Sequence, residues 1–186
     1  MKKTISMLVL VASTFLGQAQ SAQLPLGGYG AGVSELTWIN GKPSLAVGAY
    51  GGVLINHRLL LGAAGNNIFF KQQVNGSEQS FQFNYYGLYT EYRMMQKEPI
   101  NISLGVTGAL GWQENDIKSS QKNKERDGKN TFVVQPKIAI NGRVTKFMQL
   151  QVYGSYRFTG NTNSVYFSNK NYNGAAAGVG LLFGSF

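Results

Sequence analysis

A single histidine, His57, and the absence of cysteine limit the nucleophilic and metal chemistry open to this chain. His57 falls in a short predicted turn, and a nucleophile without a neighbouring base is a poor catalyst. Without thiolates or clustered histidines there is no metal site to predict. The glycines of Gly27-Gly28-Tyr29-Gly30-Ala31-Gly32 follow G-x-G-x-G, not the G-x-G-x-x-G of a dinucleotide loop, and no helical period comes after them. They read as small residues that let strands pack tightly. No catalytic, cofactor-binding or metal-binding residue is therefore predicted. Two sets of charged residues remain. Glu35, Lys137 and Arg157 each interrupt an otherwise apolar or small stretch, and their alternation places them on the face opposite the apolar one. They are the candidate members of an interior polar network, the other reading being solvated rim positions. Lys118, Lys122, Lys124, Arg126 and Lys129 cluster in one polar segment with Glu114, Asp116, Glu125 and Asp127. That segment reads as a solvated loop, or as a contact surface for phosphate-bearing or host surfaces.

The composition shows what must position these residues. Of 186 residues, 24 are glycine and only 13% are charged, whereas 43% are hydrophobic and 12% aromatic. A soluble domain carries about 25% charged residues and about 7% glycine. The imbalance argues against an ordinary cytosolic enzyme, and the aromatics argue against a disordered polycation. Residues 1–22 read as an export signal: Lys2 and Lys3, then an apolar run from Met7 to Leu16, then a small and polar stretch with cleavage after Ala19 or Ala22. Residues 23–186 form one predicted domain. Loss of the two signal lysines takes the net charge from +9 to +7, too dispersed to suggest nucleic acid.

Beyond the signal the dominant pattern is period-two alternation. Ile100, Ile102, Leu104, Val106, Gly108, Leu110 and Trp112 interleave with Asn101, Ser103, Gly105, Thr107, Ala109, Gly111 and Gln113. Similar stretches run through Leu150, Val152, Gly154, Tyr156 and Phe158, and through Phe81, Phe83, Tyr85, Gly87 and Tyr89. Eight segments result, near 29–39, 43–55, 58–70, 79–92, 99–113, 130–142, 148–159 and 173–184. Many exceed the usual five or six residues of a soluble strand, and a tilted strand needs about 9–11 to cross a bilayer. An even number allows closure, which lipid demands of any sheet. The expectation is an all-β, up-and-down antiparallel barrel of eight strands, too narrow for an open pore. Alternation alone leaves open a soluble ligand-holding barrel, with its apolar face inward.

Turns and rims favour the membrane version. Asn56-His57, Met94 to Glu98 and Arg143 to Lys146 are short turns at one end. Opposite them lie Asn40-Gly41-Lys42, a loop around Gln72 to Glu78, and long polar loops at Glu114 to Lys129 and Gly160 to Tyr172. Trp38, Phe70, Phe81, Trp112, Phe132 and Phe158 are predicted to form one aromatic girdle, and Tyr89, Tyr92, Phe147 and Phe183 the other.

On these residues the chain resembles the small eight-stranded outer-membrane barrels of the OmpA-transmembrane-domain and OmpX type. The most specific part is the last strand. Ala177, Val179, Leu181 and Phe183 keep one apolar phase and look like the C-terminal insertion signal read by the barrel-assembly machinery. Phe186 follows in the opposite phase, so either Phe183 or Phe186 could be the aromatic that is read. The resemblance implies bacterial outer-membrane lipid and lipopolysaccharide as surroundings and no cofactor. It also implies a non-enzymatic, structural or surface-interaction role through the loops at 114–129 and 160–173. Two other functions stay open: a periplasmic or secreted barrel binding a small ligand, and a lipid-modifying barrel enzyme.

Overall fold

In the computed structural model, residues 25–74, 77–94, 99–115, 131–160 and 172–186 are described, and the side chains of 71–80 and 113–115 are not part of that description. Eight strands follow in chain order: β1 (Leu26–Ile39), β2 (Lys42–Ile55), β3 (Leu59–Val74), β4 (Ser77–Met94), β5 (Ile100–Asn115), β6 (Thr131–Arg143), β7 (Met148–Gly160) and β8 (Gly174–Ser185). Each pairs antiparallel with its neighbour in sequence. β8 returns to β1 through a register running from Gly28 opposite Ser185 to Thr37 opposite Ala176, which closes the barrel. No strand is left with an open edge.

The tight turns follow from local chemistry. Asn40 and Gly41 both have positive φ, at 50° and 75°, as a two-residue turn with the twist of its strands requires. Asn56 and His57 adopt the same conformation, and the Arg58 amide donates to the Ile55 carbonyl at 3.0 Å. Between β2 and β3, Gly52 and Gly62 stand opposite one another. A Cβ on either would lie about 2 Å from a backbone carbonyl oxygen of the other strand, so glycine is what permits this approach. The expected loop around Gln72 to Glu78 is mostly strand, with Val74 paired to Ser77.

Outside, the wall is apolar. Leu36, Leu45, Leu61, Leu88, Leu104, Leu110, Ile138, Ile140, Val152, Val179 and Leu181 are all exposed around the circumference. The lumen is filled by two apolar clusters with polar and charged side chains between and beside them. One cluster, containing Ile39, Ile68, Phe70, Phe81, Phe83, Tyr85 and Tyr172, blocks the end that carries the Asn40-Gly41 turn. The other, with Tyr29, Tyr50, Leu54, Leu60, Tyr89 and Leu182, lies toward the end that carries the chain termini.

β4 corrects one expectation. The alternation assigns Phe81, Phe83, Tyr85 and Tyr89 to the apolar outer phase, but all four are buried in the lumen, while Tyr86, Leu88 and Tyr92 are exposed. The cause is further along the strand. Glu91 and Arg93 share that phase, and facing it outward would set both charges against the apolar belt, a cost of up to about 2–4 kcal/mol at the midplane that falls toward the rim. Phe70, Phe81 and Tyr89 accordingly leave the predicted girdles. Trp38, Phe132 and Phe158 at one end, and Tyr92, Phe147 and Phe183 at the other, are exposed as expected. Trp112 is half-buried, its ring 5.3 Å from that of Tyr86.

Candidate functional site: the barrel lumen

The strongest electrostatic feature is centred on Glu91, a residue the sequence reading did not single out. Its carboxylate accepts from the Tyr29 hydroxyl at 2.6 Å and from the Tyr89 hydroxyl. Lys137 Nζ lies 3.6 Å from Glu91 Oε2, and Arg93 Nε lies 4.0 Å from Oε1. Lys137 also sits 3.8 Å above the Tyr50 ring and 4.7 Å above that of Tyr89. An ammonium group taken out of water is thus offset by a carboxylate and by aromatic faces.

From this centre hydrogen bonds spread along β5, β6 and β7. Arg93 donates to Asn101 at 3.3 Å and to Gln149. Asn141 donates to Asn101 at 2.9 Å and to Ser103 at 3.0 Å, and accepts from Gln151 at 2.7 Å. The Tyr50 hydroxyl donates to Gln151 at 3.0 Å. At the terminus end, the polar side chains of β5 to β7 therefore lie across from the apolar cluster of Tyr29, Tyr50, Leu54, Leu60 and Leu182.

Glu35 occupies a second, smaller centre. It accepts from the Tyr153 hydroxyl at 3.1 Å and from Gln135 Nε2 at 3.4 Å. Gln135 also donates to Ser155 at 2.9 Å and accepts from the Tyr85 hydroxyl at 2.5 Å. Arg157, fully buried, stands apart. Its Nε donates to the Tyr172 carbonyl at 2.8 Å and one terminal nitrogen to Thr37 Oγ1 at 3.3 Å. Glu35, Lys137 and Arg157 thus all point into the lumen but are not joined to each other by direct bonds among the described residues. Lys137 pairs with Glu91, and Glu35 and Arg157 use neutral partners.

Glu91 and Arg93 carried a readable signal. Two charges two residues apart in a membrane-length strand occupy one phase, and that phase must be the lumen. Lys118, Lys122, Lys124, Arg126 and Lys129 lie outside the described residues, as do the export signal and most of the segment at 160–173. Val179, Leu181 and Phe183 face outward, whereas Phe186 turns inward, its ring 5.2 Å from Tyr29 and 5.0 Å from the Arg93 guanidinium. His57 sits at the terminus end, in the β2–β3 turn. Among the described residues no group of three or more His, Cys, Asp or Glu is arranged to hold a metal.

No protein-family model matches the chain, and no curated protein matches it by sequence. Solved structures do. Neisserial surface protein A superposes with a TM-score of 0.61 at 16% identity, covering 85% of this chain and 96% of that one. The N-terminal β-barrel domain of Pseudomonas aeruginosa OprF gives 0.54 at 11% identity, with 87% and 99% covered. The outer membrane protein OprG of the same organism gives 0.51 at 7%, with 86% and 95% covered. With its eight strands closed into an antiparallel barrel, the chain has the fold of the small outer-membrane β-barrels.

Proposed function

We propose that the protein is an integral barrel of the bacterial outer membrane with a structural or surface-interaction role, that its partners meet the long loops, and that it is neither a pore nor an enzyme. The observation that carries this reading is the inversion of the wall: large apolar side chains ring the outside, while five charged side chains, Glu35, Glu91, Arg93, Lys137 and Arg157, line the lumen. A soluble ligand-binding barrel needs the reverse outer surface, because a contiguous apolar belt of this extent in water drives aggregation. The lumen is lined by the protein's own packed apolar and polar side chains, which argues against a carried ligand.

Among the described residues no catalytic constellation supports the lipid-modifying alternative. His57 is at the terminus end, remote from the long loops, and the two lumenal carboxylates are engaged by tyrosines, Gln135 and Lys137. Fractionation tests the proposal. The protein is expected in carbonate-washed outer membranes and to migrate on gels with a heat-dependent shift; recovery from the soluble periplasm overturns it.

A further inference from the structure

We propose that the rim at the terminus end binds the headgroups of anionic glycerophospholipids in the leaflet it faces, a proposal that rests on the membrane-spanning reading. Among the described residues three cations are exposed there: Arg58 after the β2–β3 turn, Arg143 at the end of β6 and Lys146 in the β6–β7 turn. Apart from the chain's terminal carboxylate, no acidic group among the described side chains of this end is exposed, since Glu91 is spent inside the lumen. The cations alternate with apolar side chains that water would not favour. Val144 is 56% exposed and Phe147 62%, both within the same five-residue segment as Arg143 and Lys146, and Tyr92 and Phe183 are exposed nearby along their strands.

These side chains are held out by a pinned backbone. The Arg143 amide donates to the Pro99 carbonyl at 2.8 Å, the Val144 and Thr145 amides both donate to the Met148 carbonyl at 3.0 Å, and the Phe147 carbonyl accepts from Gly184 at 3.0 Å. Arg58 is fixed similarly, its amide bonded to Ile55 and its carbonyl to the Arg93 amide at 2.8 Å. A turn held by so many backbone bonds presents Val144 and Phe147 outward as part of its folded shape. Apolar rings at the acyl boundary with cations just beyond them match a leaflet surface: phosphates lie where the cations reach, and hydrocarbon begins where the rings end. A soluble acidic protein would satisfy the charges but not Val144 and Phe147, so an anionic lipid surface is the better fit.

The test uses the folded protein in phosphatidylcholine vesicles carrying a trace of spin-labelled phosphatidylglycerol or spin-labelled phosphatidylcholine. The spectral fraction of immobilised label gives the relative affinity for the two headgroups. Wild-type protein is expected to prefer phosphatidylglycerol by about threefold or more, as attraction of exposed cations for anionic headgroups predicts. In the Arg58→Gln/Arg143→Gln/Lys146→Gln variant the ratio is expected to fall to about one, and replacing Arg58 and Arg143 by lysine should retain it. Wild-type selectivity should also collapse at about 0.5 M salt, where screening acts within a few ångströms. A wild-type ratio near one, or a neutralised variant that keeps its selectivity, overturns the proposal. Failure of the membrane reading looks different: neither label is immobilised, and carbonate strips the protein from the vesicles.

Discussion

Four side chains converge on the Glu91 carboxylate, and their chemistry makes it the most consequential residue in the lumen. Two tyrosine hydroxyls donate to it, and the cations of Lys137 and Arg93 lie within 4.0 Å. Glutamine at this position keeps the shape and can still accept hydrogen bonds. It removes the negative charge, however, and leaves two buried cations whose nearest contacts are aromatic rings and amides. Breaking a buried pair by removing one partner costs about 3–5 kcal/mol, because the surviving charge stays desolvated. Glu91→Gln is therefore expected to lose stability on that scale in urea unfolding from lipid vesicles, followed by tryptophan fluorescence. Adding Lys137→Met, which removes one orphaned charge, is expected to restore part of the loss. A single variant as stable as wild type, or strictly additive losses in the pair, would sink this account. Glu35 offers an internal comparison. Its partners are the neutral Tyr153 and Gln135, so Glu35→Gln strands no cation within bonding distance and is expected to cost less.

At the scale of the strand, phase decides everything, and it explains what the sequence did and did not disclose. Strand number and approximate limits follow from alternation, and the inward placement of Glu35 follows once Leu36 and Trp38 are taken to face lipid. β4 defeats the same argument because both of its phases contain aromatics: Phe83, Tyr85 and Tyr89 on one, Tyr86 and Tyr92 on the other. Hydrophobicity cannot rank two aromatic faces, whereas the charges of Glu91 and Arg93 can, through the cost of facing lipid. The partners of Glu91 were hidden for another reason. Tyr89 stands two residues from Glu91 on β4, but Tyr29 and Lys137 meet it from β1 and β6 only when the barrel closes, and no local spacing encodes that meeting. β8 poses the same question of phase between its two final phenylalanines. Phe183 continues the outward row of Val179 and Leu181, while Phe186 packs inside on Tyr29 and beside Arg93. A machinery that meets the strand from its lipid side reads the outward row, so Phe183→Ala is expected to slow assembly. Phe186→Ala should instead assemble at the wild-type rate and unfold at lower urea. The measurement is the rise of the heat-shifted band with time in vesicles containing the assembly machinery, and the reverse ranking of the two variants would exclude this assignment.

For the whole molecule, the two filled regions of the lumen act in series. At the terminus end, Tyr29, Tyr50, Tyr89 and Phe186 surround the charges of Glu91, Arg93 and Lys137. Toward the other end, Phe70, Phe81, Phe83 and Tyr172 form a buried aromatic cluster, with the Phe83 and Tyr172 rings 4.9 Å apart and Phe70 stacked on Phe81 at 5.6 Å. An ion crossing the barrel must shed water at both. Loosening the charged region alone leaves the aromatic one, whose rings are a poor replacement for an ion's hydration and so keep a barrier of several kcal/mol for a charge that enters it. Planar-bilayer recordings are therefore expected to be silent for wild type and for Glu91→Gln. Phe83→Ala alone should be silent too, because the ion pair still closes the far side. Only the combined Glu91→Gln/Phe83→Ala variant is expected to pass discrete current steps, once its heat-dependent gel shift shows that it has folded. Steps from Glu91→Gln alone would place the whole barrier in the charged region and leave the aromatic cluster a purely structural role.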